Sequence, residues 1–308
     1  MGPGSDLARG PEPQPAGPPC PLCRRRDVRQ WKRGDLVAPA PEDLAITDRR
    51  YGTTLALWAC PCGFRFADLA AVPDLTSLYG VLDDPAYEDG HETRLAQQRV
   101  LLERLRASAP AACTLLDVGA ANGLLVEAAT AAGIDAVGVE PSASLAEAAR
   151  ARGFDVRTGV LPRSDLLARR FDLVTCVDVV EHVADPVGLL EACRAQLTED
   201  GRLLVVTPDA ASLAARLLGR RWWHLRVAHV GYFTRRTLTD ALGRAGLDAE
   251  IWWRPGWVFE TGYLVQRVGS YVPPVARVAD RWGDRRLLRA SVPLNLFDSW
   301  GVIARCRR

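Results

Sequence analysis

Two acidic residues frame the segment with the clearest chemical potential. Asp117 lies in Leu115-Leu116-Asp117-Val118-Gly119-Ala120-Ala121-Asn122-Gly123, and Glu140 closes Val137-Gly138-Val139-Glu140. The mostly apolar run before Gly119 suits a buried parallel strand, and the two glycines allow a tight turn that a ligand can approach closely. A carboxylate at the tip of the next strand can accept hydrogen bonds from a ribose diol, so the chemistry on offer is the holding of a nucleoside. A dinucleotide would need G-x-G-x-x-G to seat its pyrophosphate on a helix N-terminus. Ala121 and Leu124 occupy the second and third of those glycine positions, so a pyrophosphate fits poorly.

A second constellation could move a proton. The stretch from Phe171 to Val183 holds Asp178, Glu181 and His182, and His229 follows in the aromatic segment Trp222 to Phe233. Imidazole titrates near neutrality, which suits a general base toward a hydroxyl. Only four histidines exist, at 91, 182, 224 and 229. The plainer alternative is that His182 caps local backbone and His229 anchors its loop.

A third set could bind metal. Cys20-Pro-Leu-Cys23 is followed, after 36 residues, by Cys60-Pro-Cys62. Four thiolates close a tetrahedral zinc site and leave no open position, so the role would be structural. The remaining cysteines, 113, 176, 193 and 306, read as buried thiols, and cysteine usage of this kind fits a reducing, cytoplasmic compartment.

Elements that could position these groups alternate along the chain. Strands are expected near 115–118, 137–140, 154–158, 171–177 and 202–207, with helices between them capped by Ser142, Asp185-Pro186 and Thr234. Two further strands are placed at 249–253 and 300–305. The expectation is an α/β fold, a doubly wound and mostly parallel seven-stranded sheet. Residues 1–19, rich in Pro and Gly, read as a disordered tail without a signal-peptide pattern. Residues 20–80 form a zinc-ribbon-like lobe, and 81–308 the main domain, with a Trp- and Arg-rich insert at about 254–296. That insert is read as a lid, an amphipathic element in peripheral contact with a membrane, or a pair of packed surface helices.

The spacing Asp117-x-Gly119-x-Ala121-x-Gly123 with Glu140, and the later Glu181-His182 before Asp185-Pro186, resembles the class I S-adenosylmethionine-dependent methyltransferases over residues 85 to 250. Ala121 stands where the family has its middle glycine. The resemblance implies a Rossmann-like methyltransferase fold and a cofactor pocket lined by Tyr87, Asp117, Gly119, Ala120, Ala121, Gly123, Glu140, Pro141, Ser142, Val160, Leu161 and Asp178. In it S-adenosylmethionine would become S-adenosylhomocysteine. His182, His229 and Glu181 are then the catalytic candidates. Asp178-x-x-Glu181-His182 with His229 also resembles the way some ubiquinone-pathway and small-RNA 2′-O-methyltransferases hold a divalent cation such as Mg²⁺, with Asp for the first Glu. The four-cysteine lobe ahead of such a core resembles bacterial methyltransferases of natural products and surface glycans.

Charge separates the competing functions. The chain of 308 residues carries a net charge of +2, yet from Ala210 onward 17 arginines face seven acidic residues. A solvated arginine surface, an anionic acceptor and a nucleic acid are all compatible with that excess. The leading expectation is O-methylation of a small molecule or sugar-bearing intermediate with a His general base. The rival is an rRNA or tRNA methyltransferase whose zinc module recognises RNA.

Overall fold

The structure, a computed structural model, describes residues 17–48, 50–72, 74–84, 87, 90–262, 264–265 and 291–308. Most of the tail and of the insert, residues 1–16 and 266–290, lies outside the described residues. The N-terminal part contributes β1 (Arg29–Lys32), β2 (Leu57–Ala59), β3 (Arg65–Ala67) and the short helix α1 (Leu75–Gly80). The main domain then runs α2 (His91–Ser108), β4 (Thr114–Val118), α3 (Leu124–Ala131), β5 (Asp135–Glu140), α4 (Ala143–Ala151), β6 (Val156–Thr158) and β7 (Phe171–Val177). It continues through α5 (Pro186–Ala195), β8 (Leu197–Pro208), α6 (Leu213–Leu218), β9 (Gly231–Tyr232), α7 (Arg235–Arg244), β10 (Leu247–Trp253), β11 (Trp257–Glu260), β12 (Ser291–Leu294) and β13 (Ser299–Cys306).

Seven strands form one sheet in the order β10-β13-β8-β7-β4-β5-β6. β4, β5, β6, β7 and β8 are parallel, and β13 inserts antiparallel to both β8 and β10. Strand order reverses at β4, so β5 and β7 flank it and their carboxyl ends open a crevice at that switch point. Both faces are covered, which is why β4, β7 and β8 read as nearly continuous apolar runs. On one face Leu101, Leu105, Leu125 and Ala129 of α2 and α3 pack with Leu115, Leu173 and Leu204. On the other, Leu190 and Cys193 of α5 and Leu238 and Leu242 of α7 pack with Leu116, Val174 and Leu203.

The caps read from sequence sit where expected. Ser142 Oγ accepts from Leu145 N, Asp185 from Gly188 N, and Thr234 from Thr237 N. Asp172, at the start of β7, accepts from the amides of Cys113 and Thr114 and so aligns β7 with β4. At the described ends of the insert, which was read as a lid, an amphipathic element or a pair of packed surface helices, β11 and β12 pair as a two-stranded antiparallel ribbon. Alternating β-branched and aromatic residues such as Trp257, Val258 and Val292 favour that extended pairing.

The N-terminal strands do not close on themselves. β3 pairs with β9 of the main domain, giving a four-stranded sheet β1-β2-β3-β9 that spans the two parts.

Gly123 opens α3 in the left-handed region, at φ +82°. A Cβ there would lie 2.9 Å from the Ala149 Cβ and 3.2 Å from Val156 Cγ2. Gly123→Ala is therefore expected to lower stability by roughly 1–3 kcal/mol, seen as a lower thermal midpoint, since the substitution meets both strain and overpacking.

Candidate active site

One side of the crevice, the side read from sequence as holding a nucleoside, is built from two backbone turns held by one carboxylate. Glu140, at the tip of β5, is 6% exposed. Its Oε2 accepts from Ala121 N at 2.9 Å and its Oε1 from Ser142 N at 2.8 Å. Each oxygen keeps a further lone pair, so a diol can still be accepted after both amides are bound. Ala121 holds φ +46° to bring its amide onto Glu140. Gly119 has φ +77°, and a Cβ on it would collide with Val179. Its missing side chain therefore makes room for the turn after β7, a packing role in addition to the open approach expected from sequence.

The other expected cofactor residues fall around this turn to different degrees. Asp117 is 4% exposed and takes Thr175 Oγ1 at 2.7 Å, so part of its acceptor capacity ties β4 to β7. Ala120 is buried, Pro141 partly buried, and Ser142 Oγ donates to the Leu82 carbonyl, closing the segment before α2 over the β5 tip. Val160 is exposed beyond β6, while Leu161 is partly buried. Asp178, exposed just beyond β7, holds φ +53°. Tyr87 lies half-buried with the Arg94 guanidinium 4.1 Å from its ring centre.

Burial raises both acids of the nucleoside side. Glu140 is pushed up to about 7 against the pull of its two amide partners, and Asp117 to about 6 against its bond from Thr175.

Across the crevice the segment after β7 meets the segment before β9. Glu181 is 1% exposed; its Oε2 accepts from Thr207 Oγ1 at 2.9 Å, and its Oε1 is buried without a hydrogen bond. His182 Nε2 lies 4.0 Å from Glu181 Oε1. The His182 and His229 rings meet edge to face at 4.7 Å, and His229 stacks on His224 at 5.7 Å. One nitrogen or oxygen from each of Glu181, His182 and His229 falls within 4.8 Å of the others. Sequence reading named these three residues as catalytic candidates, and they cluster here.

It missed four others. Tyr79 Oη sits 2.8 Å from His182 Nδ1 and 3.4 Å from the Ala228 carbonyl. Asp298, from the far end of the chain, takes Trp223 Nε1 at 2.8 Å and His224 Nε2 at 3.3 Å. Arg226 donates to the carbonyls of Ala45 and Ile46, and no carboxylate lies within 4 Å of it among the described residues. None of these carried a local motif; only the pairing of the N-terminal lobe with β9 assembles them. Burial, with Arg226 nearby, lowers His182 to about 3 and pulls His229 the same way, so both imidazoles are neutral at physiological pH.

The four cysteines also converge. Cys20 and Cys62 sulfurs stand 3.8 Å apart, and Cys23 and Cys60 sulfurs 3.5 Å. A tetrahedron with Zn–S bonds of about 2.3 Å has edges of roughly 3.8 Å, so the donor set fits that ion without rearrangement.

Several described arginines of the last third have partners. Arg254 pairs with buried Asp209 at 2.8 Å and lies 3.5 Å over the Trp300 ring, while Arg235 lies over both Trp252 and Trp300. Arg305 and Arg307 pair with Glu250 and Asp248.

The methyltransferase-domain family matches residues 91–250, slightly more than half of the chain and the whole of β4 to α7. The chain belongs to this methyltransferase family. A ubiquinone biosynthesis O-methyltransferase of Cereibacter sphaeroides is 34% identical over 159 residues, covering 47% of this chain and 63% of that protein. One from Xanthomonas axonopodis pv. citri is 32% identical over 159 residues, covering 46% and 65%. The chain thus spans just under two thirds of the length of these relatives. Among solved structures, an S-adenosylmethionine-dependent methyltransferase of Archaeoglobus fulgidus is 16% identical with a TM-score of 0.48, covering 72% of this chain and 100% of that one. Seven strands in the observed order, with the antiparallel β13, are the Rossmann-like methyltransferase fold expected from sequence. No helix among the described residues is long and apolar enough to cross a membrane.

Buried acids give this family member a pH signature. Folded Glu140 and Asp117 keep protons up to about 7 and about 6, whereas in the unfolded chain they lose them nearer 4. The native state then binds more protons than the unfolded one between these values, so stability of the ligand-free protein falls as pH rises from about 4 to about 7. Thermal melts across that window should show the fall, and Glu140→Gln should flatten the slope whatever it does to the absolute midpoint.

Proposed function

We propose that this protein transfers a methyl group from S-adenosylmethionine to a hydroxyl oxygen of a small-molecule or sugar-bearing acceptor. The observation that carries the reading is the juxtaposition across one crevice of Glu140, with an acceptor position left on each oxygen, and of the Tyr79-His182-Glu181-His229 cluster. Bound S-adenosylmethionine supplies a methyl group activated on a sulfonium. Glu140 would take the ribose hydroxyls, Val160 and Leu161 would flank the adenine, and the turn from Gly119 to Gly123 with Asp117 and Asp178 would lie along the methionine part. Tyr87, Ala120, Pro141 and Ser142 complete that pocket in this reading.

The chain's own groups handle the acceptor proton. With Nδ1–H donating to Tyr79 Oη, which donates on to the Ala228 carbonyl, His182 keeps a lone pair at Nε2 for the acceptor hydroxyl. An imidazole lowered this far is a weak base. Glu181 Oε1 at 4.0 Å supplies the remedy when ionised, because a carboxylate beside an imidazolium favours proton uptake. His229, packed edge-on, fixes the ring plane. The same Glu181, His182 and His229 could instead hold a divalent cation against the acceptor oxygen. Two imidazoles with one carboxylate suit a transition ion better than Mg²⁺, which prefers an all-oxygen shell.

Zinc on Cys20, Cys23, Cys60 and Cys62 would be structural and would act on the acceptor side. The Cys60–Cys62 hairpin leads into β3, whose partner β9 follows His229 directly. A small acceptor is favoured over RNA because the arginines of the last third that pair with Asp209, Glu250 and Asp248 are not free to track phosphates.

Incubation with methyl-labelled S-adenosylmethionine and small-molecule extracts should yield an O-methylated product by mass spectrometry; absence of cofactor affinity in calorimetry would sink the proposal. His182→Ala should cut turnover on that acceptor by roughly 100-fold or more, and Tyr79→Phe by roughly tenfold, with cofactor affinity unchanged in both. Full turnover in both variants would refute the proton path. X-ray fluorescence should find one zinc per chain, and its removal by chelation should abolish acceptor turnover before it weakens cofactor binding.

A further inference from the structure

A second cavity lies at the seam between the N-terminal lobe and the main domain, and the reading above leaves it unused. Trp31 of β1, Arg65 of β3, Tyr232 of β9, Trp222, Leu225 and Ala215 of α6 line it. Its volume is about 20 Å³, room for one water or one monatomic ion. Trp222 is 3% exposed and Tyr232 4%, and among the described residues neither Trp222 Nε1–H nor the Tyr232 O–H has an acceptor, although the Arg226 amide faces the Tyr232 oxygen. The Arg65 guanidinium lies 4.3 Å over the Trp31 ring and has no acidic partner within 4 Å among the described residues. No side chain lining the cavity is acidic.

Three residues that carry donor groups therefore line one small space. Trp222 Nε1 can only donate, the guanidinium can only donate, and the tyrosine hydroxyl can do so. Leaving buried donors unpaired is costly, and Arg29, the next nearest cation, adds like charge beside Arg65. A water could satisfy the indole and the phenol, yet it would leave the guanidinium charge uncompensated in a partly desolvated place. A negative atom satisfies all three.

We propose that this cavity is an anion site, taking a halide ion or a single oxygen of a carboxylate or phosphoryl group. Two of its donors come from the main domain and one from the lobe, so occupancy pins the lobe against β9. The Trp222 ring also meets the His224 ring edge-on at 5.1 Å, which links the site to the wall of the acceptor crevice.

The test uses the full, metal-loaded chain. Thermal midpoints are followed at constant ionic strength while tetrafluoroborate, too large for the cavity and a poor hydrogen-bond acceptor, is replaced by bromide in one series and by acetate in another. A saturable rise in either series is expected for the unmodified protein; a bromide response marks a free ion as the occupant, and an acetate response without one marks a group carried on a larger ligand. Arg65→Gln should abolish the saturable rise, and Tyr232→Phe, which removes one hydroxyl and keeps the ring, should weaken it at least threefold in half-saturating concentration. Calorimetry of S-adenosylmethionine should give the same affinity for Tyr232→Phe as for the unmodified chain, which separates this site from the methyl-transfer reading. Absence of a saturable response in both series, or equal responses from the unmodified chain and Tyr232→Phe, overturns the proposal.

Discussion

Both backbone groups of Val230 are spent on joins between parts of the chain that are distant in sequence. Its N–H donates to the Glu181 carbonyl and its C=O accepts from Ala67 N, each at 2.8 Å. One peptide thus ties the turn after β7 to β3 of the N-terminal lobe. A buried peptide must find partners, so this pairing constrains the lobe, the segment before β9 and the Glu181-His182 turn to a common position. Phe64, which follows the Cys60–Cys62 hairpin, packs its ring 4.8 Å from that of Phe233 and reinforces the same join.

The two sides of the crevice rest on different physics. The nucleoside side is local: strand tip, turn and helix cap are consecutive in sequence, and Glu140 reaches only to Ala121 and Ser142. The side proposed for the acceptor is assembled from four distant places, with Tyr79 before α2, Glu181 and His182 after β7, the segment 222–233, and Asp298 just before β13. Methyl transfer demands alignment of two partners, and the fold supplies one from a compact motif and the other from tertiary assembly. The N-terminal lobe belongs to the second, because its β3 holds β9 and its Arg65 reaches the seam cavity.

Burial sets the electrostatic character of the crevice. Glu140, Asp117 and Glu181 are each nearly inaccessible and are all raised by desolvation, while the imidazoles are lowered. Burial in the ligand-free crevice therefore favours the neutral forms of its acids and imidazoles. Some described arginines of the last third keep their charge: Arg235 and Arg254 lie on Trp252 and Trp300, and Arg254, Arg305 and Arg307 meet Asp209, Glu250 and Asp248.

Residue order alone determined the alternating strands and helices, the Asp117–Gly123 turn, Glu140 at a strand tip and the converging cysteine pairs, since periodicity, capping and glycine conformation act within a few residues. It also placed Glu181, His182 and His229 as candidates by residue type. Tertiary structure alone decided that Tyr79, His224, Arg226 and Asp298 join them, that Gly119 makes room for Val179, and that β3 pairs with β9. Those facts depend on contacts between segments tens to hundreds of residues apart. Hydrophobic packing and the obligation of buried backbone groups to pair select such contacts, and no local pattern records them.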